Sequence, residues 1–155
     1  MKRSIARTTL AILSFAMLLA VLTPAAHATN CSTATVAGDW GFTLTGTLLL
    51  PTGPVPAAAV GRVSVDNRGN GVGTEARSVG GQYADETLTA TWTVNSDCTG
   101  TLYAKIYENG QLARISVTTI TFDDNSSEFR MVQKSLTLPD GTELPVVITI
   151  EGRKR

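Results

Sequence analysis

In this chain of 155 residues, thirteen Lys and Arg balance thirteen Asp and Glu, 43% of residues are hydrophobic, and the one histidine stands at position 27. That is room for one domain with a sizeable core and not for two. With no histidine after position 27 and only two cysteines, Ser-His-Asp and Cys-His catalysis, imidazole zinc sites and histidine acid–base work are excluded from the rest of the chain, so any chemistry falls to carboxylates, Tyr, Lys or Arg.

Lys2, Arg3 and Arg7 precede an apolar run from Leu10 to Leu22, followed by Thr23-Pro24 and the small-residue site Ala26-His27-Ala28. This pattern reads as an export signal over residues 1–28, cleaved before Thr29. Residues 29–155 are then one domain, placed in the periplasm or outside the cell. No later stretch reaches the roughly 20 apolar residues that a membrane span needs. Ala28-Thr29-Asn30, ahead of Cys31, lacks the small and apolar residues of a lipidation site. Without the leader's three basic residues, ten Lys and Arg face thirteen Asp and Glu, which argues against nucleic acid as a partner. In an oxidising compartment Cys31 and Cys98 are expected to join.

The first expected strand runs from Gly38 to Leu50, with Trp40, Phe42, Leu44, Leu48 and Leu50 alternating against Thr43, Thr45 and Thr47. Pro51, Pro54 and Pro56 predict a loop. A second strand is expected from Ala57 to Asp66, a four-residue turn Asn67-Arg68-Gly69-Asn70, and a third from Gly71 to Val79. That register turns Ala59, Gly61, Val72, Thr74, Ala76 and Ser78 inward and pairs Arg62 with Glu75 outside. A fourth strand, Glu86 to Val94, alternates Leu88, Ala90, Trp92 and Val94 with four threonines. A fifth, Thr101 to Tyr107, turns Leu102, Ala104 and Ile106 inward.

Asn109-Gly110 is a two-residue hairpin signal. It pairs Ile106 with Ala113, turns Ile115, Val117, Thr119 and Thr121 inward, and sets Lys105 beside Arg114 on the outer face. The sixth strand ends near Phe122. A seventh, Glu128 to Leu136, carries Phe129, Met131, Gln133 and Ser135 inward, and an eighth runs from Glu143 to Glu151 with Arg130 opposite Glu151. No helix is expected after the leader. Eight strands joined mainly by tight turns predict an all-β fold: a single antiparallel up-and-down barrel, or alternatively a two-sheet sandwich.

In this register no charged side chain points inward, and the small residues of strands two and three leave space. Trp40, Phe42, Trp92, Phe129, Met131, Thr74 and Gln133 are the candidate lining of a ligand cavity, the competing reading being a filled core. Lys105, Arg114, Arg130 and Lys134 form an outer basic patch that would suit an anionic partner or stand as a solvated face. No cofactor and no metal site is expected.

Gly38-Asp39-Trp40 resembles the Gly-x-Trp motif of the lipocalins and the wider calycin group, eight-stranded barrels that bind small apolar molecules. The resemblance implies that a basic residue after the last strand, here Arg153, packs on Trp40. In size and strand number the chain is also similar to the barrels of allene oxide cyclase, dirigent proteins and spirotetronate cyclases, which implies that an interior with few catalytic groups is compatible with an enzyme. Three readings follow: a binder of a small apolar ligand in the interior; a cyclase- or isomerase-type enzyme, for which one of Tyr83, Asp85, Glu86 or Glu75 must reach the cavity; and a non-enzymatic interaction domain working through its basic outer face.

Overall fold

Alternation of apolar residues with threonine demands one buried and one wet face per strand, and the computed structural model, which describes residues 31–155, satisfies it by rolling one sheet shut. The leader and its cleavage site lie outside the described residues. The strands are β1 (Gly38–Leu50), β2 (Gly53–Val65), β3 (Asn70–Val79), β4 (Gln82–Val94), β5 (Thr99–Glu108), β6 (Gln111–Asp123), β7 (Glu128–Thr137) and β8 (Val146–Lys154). Each pairs antiparallel with the next, and β8 returns to β1 from Trp40↔Lys154 to Leu48↔Val146. This is an eight-stranded up-and-down barrel, not a sandwich, and closure leaves no open sheet edge.

Pro54 and Pro56 lie inside β2 and not in a loop. The Pro56 carbonyl accepts from Gly80 N, so this residue turns its backbone towards the β3 side just beyond the last β2–β3 pair, Ala57↔Val79. A missing N–H costs nothing where the neighbouring strand has ended.

Two local features set the faces. Asp66 N donates to Asn70 O (2.8 Å), Gly69 N donates to Asp66 O (3.0 Å), and the Asp66 carboxylate accepts from the backbone N–H groups of Arg68 and Asn70. The turn therefore holds three residues, with Gly69 at φ +85° supplying the left-handed position that such a loop needs. One residue fewer than expected flips β3: Gly71, Gly73, Glu75, Arg77 and Val79 face inward, while Val72, at 64% exposure, faces solvent with Thr74, Ala76 and Ser78. Arg62 consequently sits opposite Thr74, not Glu75.

The second feature is a bulge in β6. The Asn109-Gly110 turn forms as expected, but pairing shifts from Tyr107↔Leu112 to Ile106↔Arg114, leaving Ala113 over. Beyond it Arg114, Ser116, Thr118, Ile120 and Phe122 face inward, and Ile115, Val117, Thr119 and Thr121 turn outward. Lys105 sits opposite Ile115, so the like-charge pair with Arg114 does not exist. A further irregularity at Lys134 leaves Ser135 opposite Val117 on the outer face, while Arg130 stands opposite Glu151 as expected.

A one-turn helix, α1 (Thr33–Val36), precedes β1, where the sequence pattern predicts no helix. Ser32 caps it by accepting from Thr35 N, and Val36 is fully buried at one end of the barrel. Trp40 Nε1 donates to Val36 O (2.9 Å), and the Cys31–Cys98 disulfide ties the segment to the β4–β5 turn. Beneath α1, Trp40, Trp92, Phe122 and Phe129 stack with ring centroids 5.2 to 6.1 Å apart. Gly152 lets the Phe129 ring lie on the β8 backbone, where a Cβ would stand 2.3 Å from Phe129 Cζ. This end is filled.

Candidate functional site

The other half of the barrel is not filled. Its inner positions alternate medium apolar side chains with alanines, Ala57 and Ala59 on β2, Ala90 on β4 and Ala104 on β5, around a cavity of about 290 Å³. Trp92 and Phe129 face this cavity from the aromatic layer. The Trp92 indole N–H, near Gly71, has no hydrogen-bond partner among the described residues. Phe42 lines the wall and covers Gly61.

Charge gathers on one wall of this space. Glu75 and Arg77 from β3, Glu108 from β5 and Arg114 from β6 line the cavity, with Glu86 of β4 buried among them. Arg114 clamps Glu86 with both terminal nitrogens, Nη1 to Oε1 at 2.6 Å and Nη2 to Oε2 at 2.7 Å, and Nη2 also donates to Glu75 Oε1 at 2.7 Å. Arg77 Nε donates to Glu86 Oε1 (2.9 Å), and its Nη2 reaches Glu108 Oε2 (3.4 Å). Glu86 thus collects three charge-assisted bonds and its side chain has no exposed surface.

The two buried carboxyls part in their acidity. Burial pushes Glu75 up to about 7; Arg114 pulls against this, and a shared hydrogen bond with Glu86 pushes the same way as burial. Burial also acts on Glu86, but the hydrogen bond and charge of Arg114 outweigh it and hold Glu86 below the ordinary glutamate range. Arg114 is raised, because its bonds to Glu86 and the charge of Glu75 overcome the effect of burial. The pair therefore behaves as one ionised carboxylate and one carboxyl poised near neutrality. Further round the wall Gln133 Nε2 donates to Ser116 Oγ (2.8 Å) and Ser135 O (2.5 Å).

Of the expected lining residues, Phe42, Trp92, Phe129, Met131 and Gln133 reach the cavity. Trp40 is fully buried but packs on Trp92 and Phe129 behind it, and Thr74 is on the outer face because β3 is flipped. The expectation of an uncharged interior is wrong: Glu75 and Arg77 came inward with β3, Arg114 with the β6 bulge, and Glu86 stands inward in step with Leu88, Ala90 and Trp92. Arg114 accordingly leaves the outer basic patch. Lys105, Arg130 and Lys134 remain outside, Arg130 paired with Asp123 at 3.0 Å. Tyr83 and Asp85 bond to one another on the surface.

Glu86 was legible, since it shares parity with Leu88, Ala90 and Trp92. Glu75 and Arg77 were legible only to a reading that put Gly69 at the third position of a three-residue loop. The cation over Trp40 is Lys154, with Nζ 5.7 Å from the ring centroid, and not Arg153, which is exposed and paired with Glu128 at 2.8 Å.

No family model and no curated protein matches the chain. The solved structures to which it is similar include two small barrels. One, EF1p2_mFAP2b bound to DFHBI, is 12% identical with a TM-score of 0.56, over 81% of this chain and 100% of that one. The other, the redesigned β-barrel mFAP1 bound to DFHBI, is 17% identical with a TM-score of 0.51, over 80% and 98%. At such identities the likeness is one of fold. Among the described residues no helix is long and apolar enough to cross a membrane.

Proposed function

We propose that this chain is an exported carrier that holds a small, largely apolar molecule inside its barrel. The observation that carries this reading is the cavity of about 290 Å³ left by inward alanines on β2, β4 and β5, in a sheet whose other end is packed with four aromatic rings. A barrel of eight strands can be filled by side chains or hold one ligand, and the alanines favour the second. The two similar barrels, each described as bound to DFHBI, support the same use of the architecture. Residues 1–28 act as the export signal, and the Cys31–Cys98 disulfide agrees with an oxidising destination.

The test is a titration of tryptophan fluorescence with decanol, alongside native mass spectrometry of the protein purified from its own host. The expected result is a saturable spectral change, a retained small molecule, and weakening of both in Ala104→Phe, which puts a ring into the cavity. A decanol response that is absent, or the same in Ala104→Phe, would remove the carrier reading.

Glu75 also favours a second reading, an isomerase-type enzyme. A carboxyl poised near neutrality at an apolar cavity can take a proton from one carbon of a bound substrate and return it to another. Glu75→Gln would then bind substrate but not turn it over; equal turnover by the variant would exclude this role.

A further inference from the structure

Taking the carrier reading as its basis, we infer that the ligand carries a protonated amine, seated against Glu75 with its apolar body towards Trp92 and Phe129. The charges inside the barrel do not balance. β3, β4, β5 and β6 contribute three carboxylates, Glu75, Glu86 and Glu108, and two guanidiniums, Arg77 and Arg114. The inward positions of β1, β2 and β7 are uncharged, and on β8 the inward Lys154 lies at the opposite end over Trp40. The cavity end of the barrel therefore holds one negative charge in excess when all five groups are ionised.

That excess faces the ligand through Glu75. Both oxygens of Glu86 are taken by Arg114 and Arg77, and Glu86 does not line the cavity. Glu108 is nearly half exposed, so water screens it. Glu75 lines the cavity, is buried, and has one guanidinium bond. An anionic ligand meets the opposite situation, because each guanidinium is already engaged by two carboxylates. A fatty acid would have to break these bonds and sit beside three like charges. An amine instead supplies the missing cation and donates to a carboxylate in a low-dielectric site.

Binding of the amine requires Glu75 to give up its proton, so affinity rises with pH. The charged groups facing Glu75 are Glu86, Arg77, Arg114 and, across the cavity, Glu108; the Arg114 guanidinium is held the more firmly protonated by its bonds to Glu86, and Glu86 is held ionised by Arg114. With Glu75 near 7, the fraction ionised at pH 5.5 is about one thirtieth, and decylamine should bind roughly thirtyfold more tightly at pH 8.5 than at pH 5.5.

The experiment compares decylamine, decanol and decanoate, below their micellar concentrations, by tryptophan fluorescence at pH 5.5 and 8.5, in the wild-type protein and in Glu75→Gln. Decylamine should bind most tightly at pH 8.5 and decanoate least. The pH dependence should be present for the amine and absent for decanol, and Glu75→Gln should abolish it. Decanoate binding as tightly as decylamine, or a pH-independent amine affinity in the wild-type protein, would overturn this inference and leave the carrier reading standing. If decanol itself does not bind, the carrier reading fails, and the amine inference with it.

Discussion

Glu75→Gln tests the physical account of the polar cluster without reference to any ligand. The folded protein holds this carboxyl up to about 7, chiefly through burial, against an ordinary value of 4.5. A raised carboxyl stabilises the fold while it is protonated: the contribution is complete below about pH 4.5 and is lost as pH rises through 7, because the unfolded chain gives up the proton earlier. Taken over that interval at about 1.4 kcal/mol per unit, the loss is about 3 kcal/mol. Glutamine reproduces the protonated form, accepting from Arg114 and donating to Glu86, but cannot ionise. Urea unfolding of both proteins from pH 5 to 8.5 should show similar midpoints at pH 5 and, at pH 8.5, a variant more stable than the wild type by about 2–3 kcal/mol. Glu86 has the opposite sign, and its contribution fades only as pH falls below about 4.5, outside this window. A constant difference between the two proteins across the range would refute the reasoning.

Arg114→Met should cost about 3–5 kcal/mol in urea unfolding at pH 7, since it leaves Glu86 with Arg77 alone and Glu75 without its guanidinium bond; an unchanged midpoint would mean that water reaches the cluster. Replacing both Cys31 and Cys98 by serine opens a cross-link of sequence separation 67 and should lower stability by roughly 4 kcal/mol on the loop-entropy model, with dithiothreitol having the same effect on the wild type and none on the variant. Gly152→Ala should destabilise by about 1–3 kcal/mol through collision with the Phe129 ring, and Phe129→Leu in the same chain should recover part of that loss. Recovery by Phe129→Leu would be absent if the cost lay in the backbone and not in the ring.

The barrel, its strand order and its disulfide could be read from the residues alone, because they depend on features that repeat locally. Thr87, Thr89, Thr91 and Thr93 alternating with Leu88, Ala90 and Trp92 admit one backbone conformation and two faces, Asn109-Gly110 admits a tight hairpin, and two cysteines leave one pairing. The contents of the barrel could not be read so directly. Because side chains repeat every two residues, a turn of three residues in place of four at Gly69 and one bulge at Ala113 each exchange the inner and outer faces of a whole strand. Val72 and Glu75 illustrate the outcome. Hydrophobicity alone puts the valine inside and the glutamate outside, and the structure does the reverse. Glu75 is tolerable inside only because Arg114, 39 residues away in sequence and three strands round the barrel, arrives on the same face through the bulge. That meeting is a property of the closed sheet: it depends on both irregularities together, and no window of sequence contains both partners and the geometry that joins them.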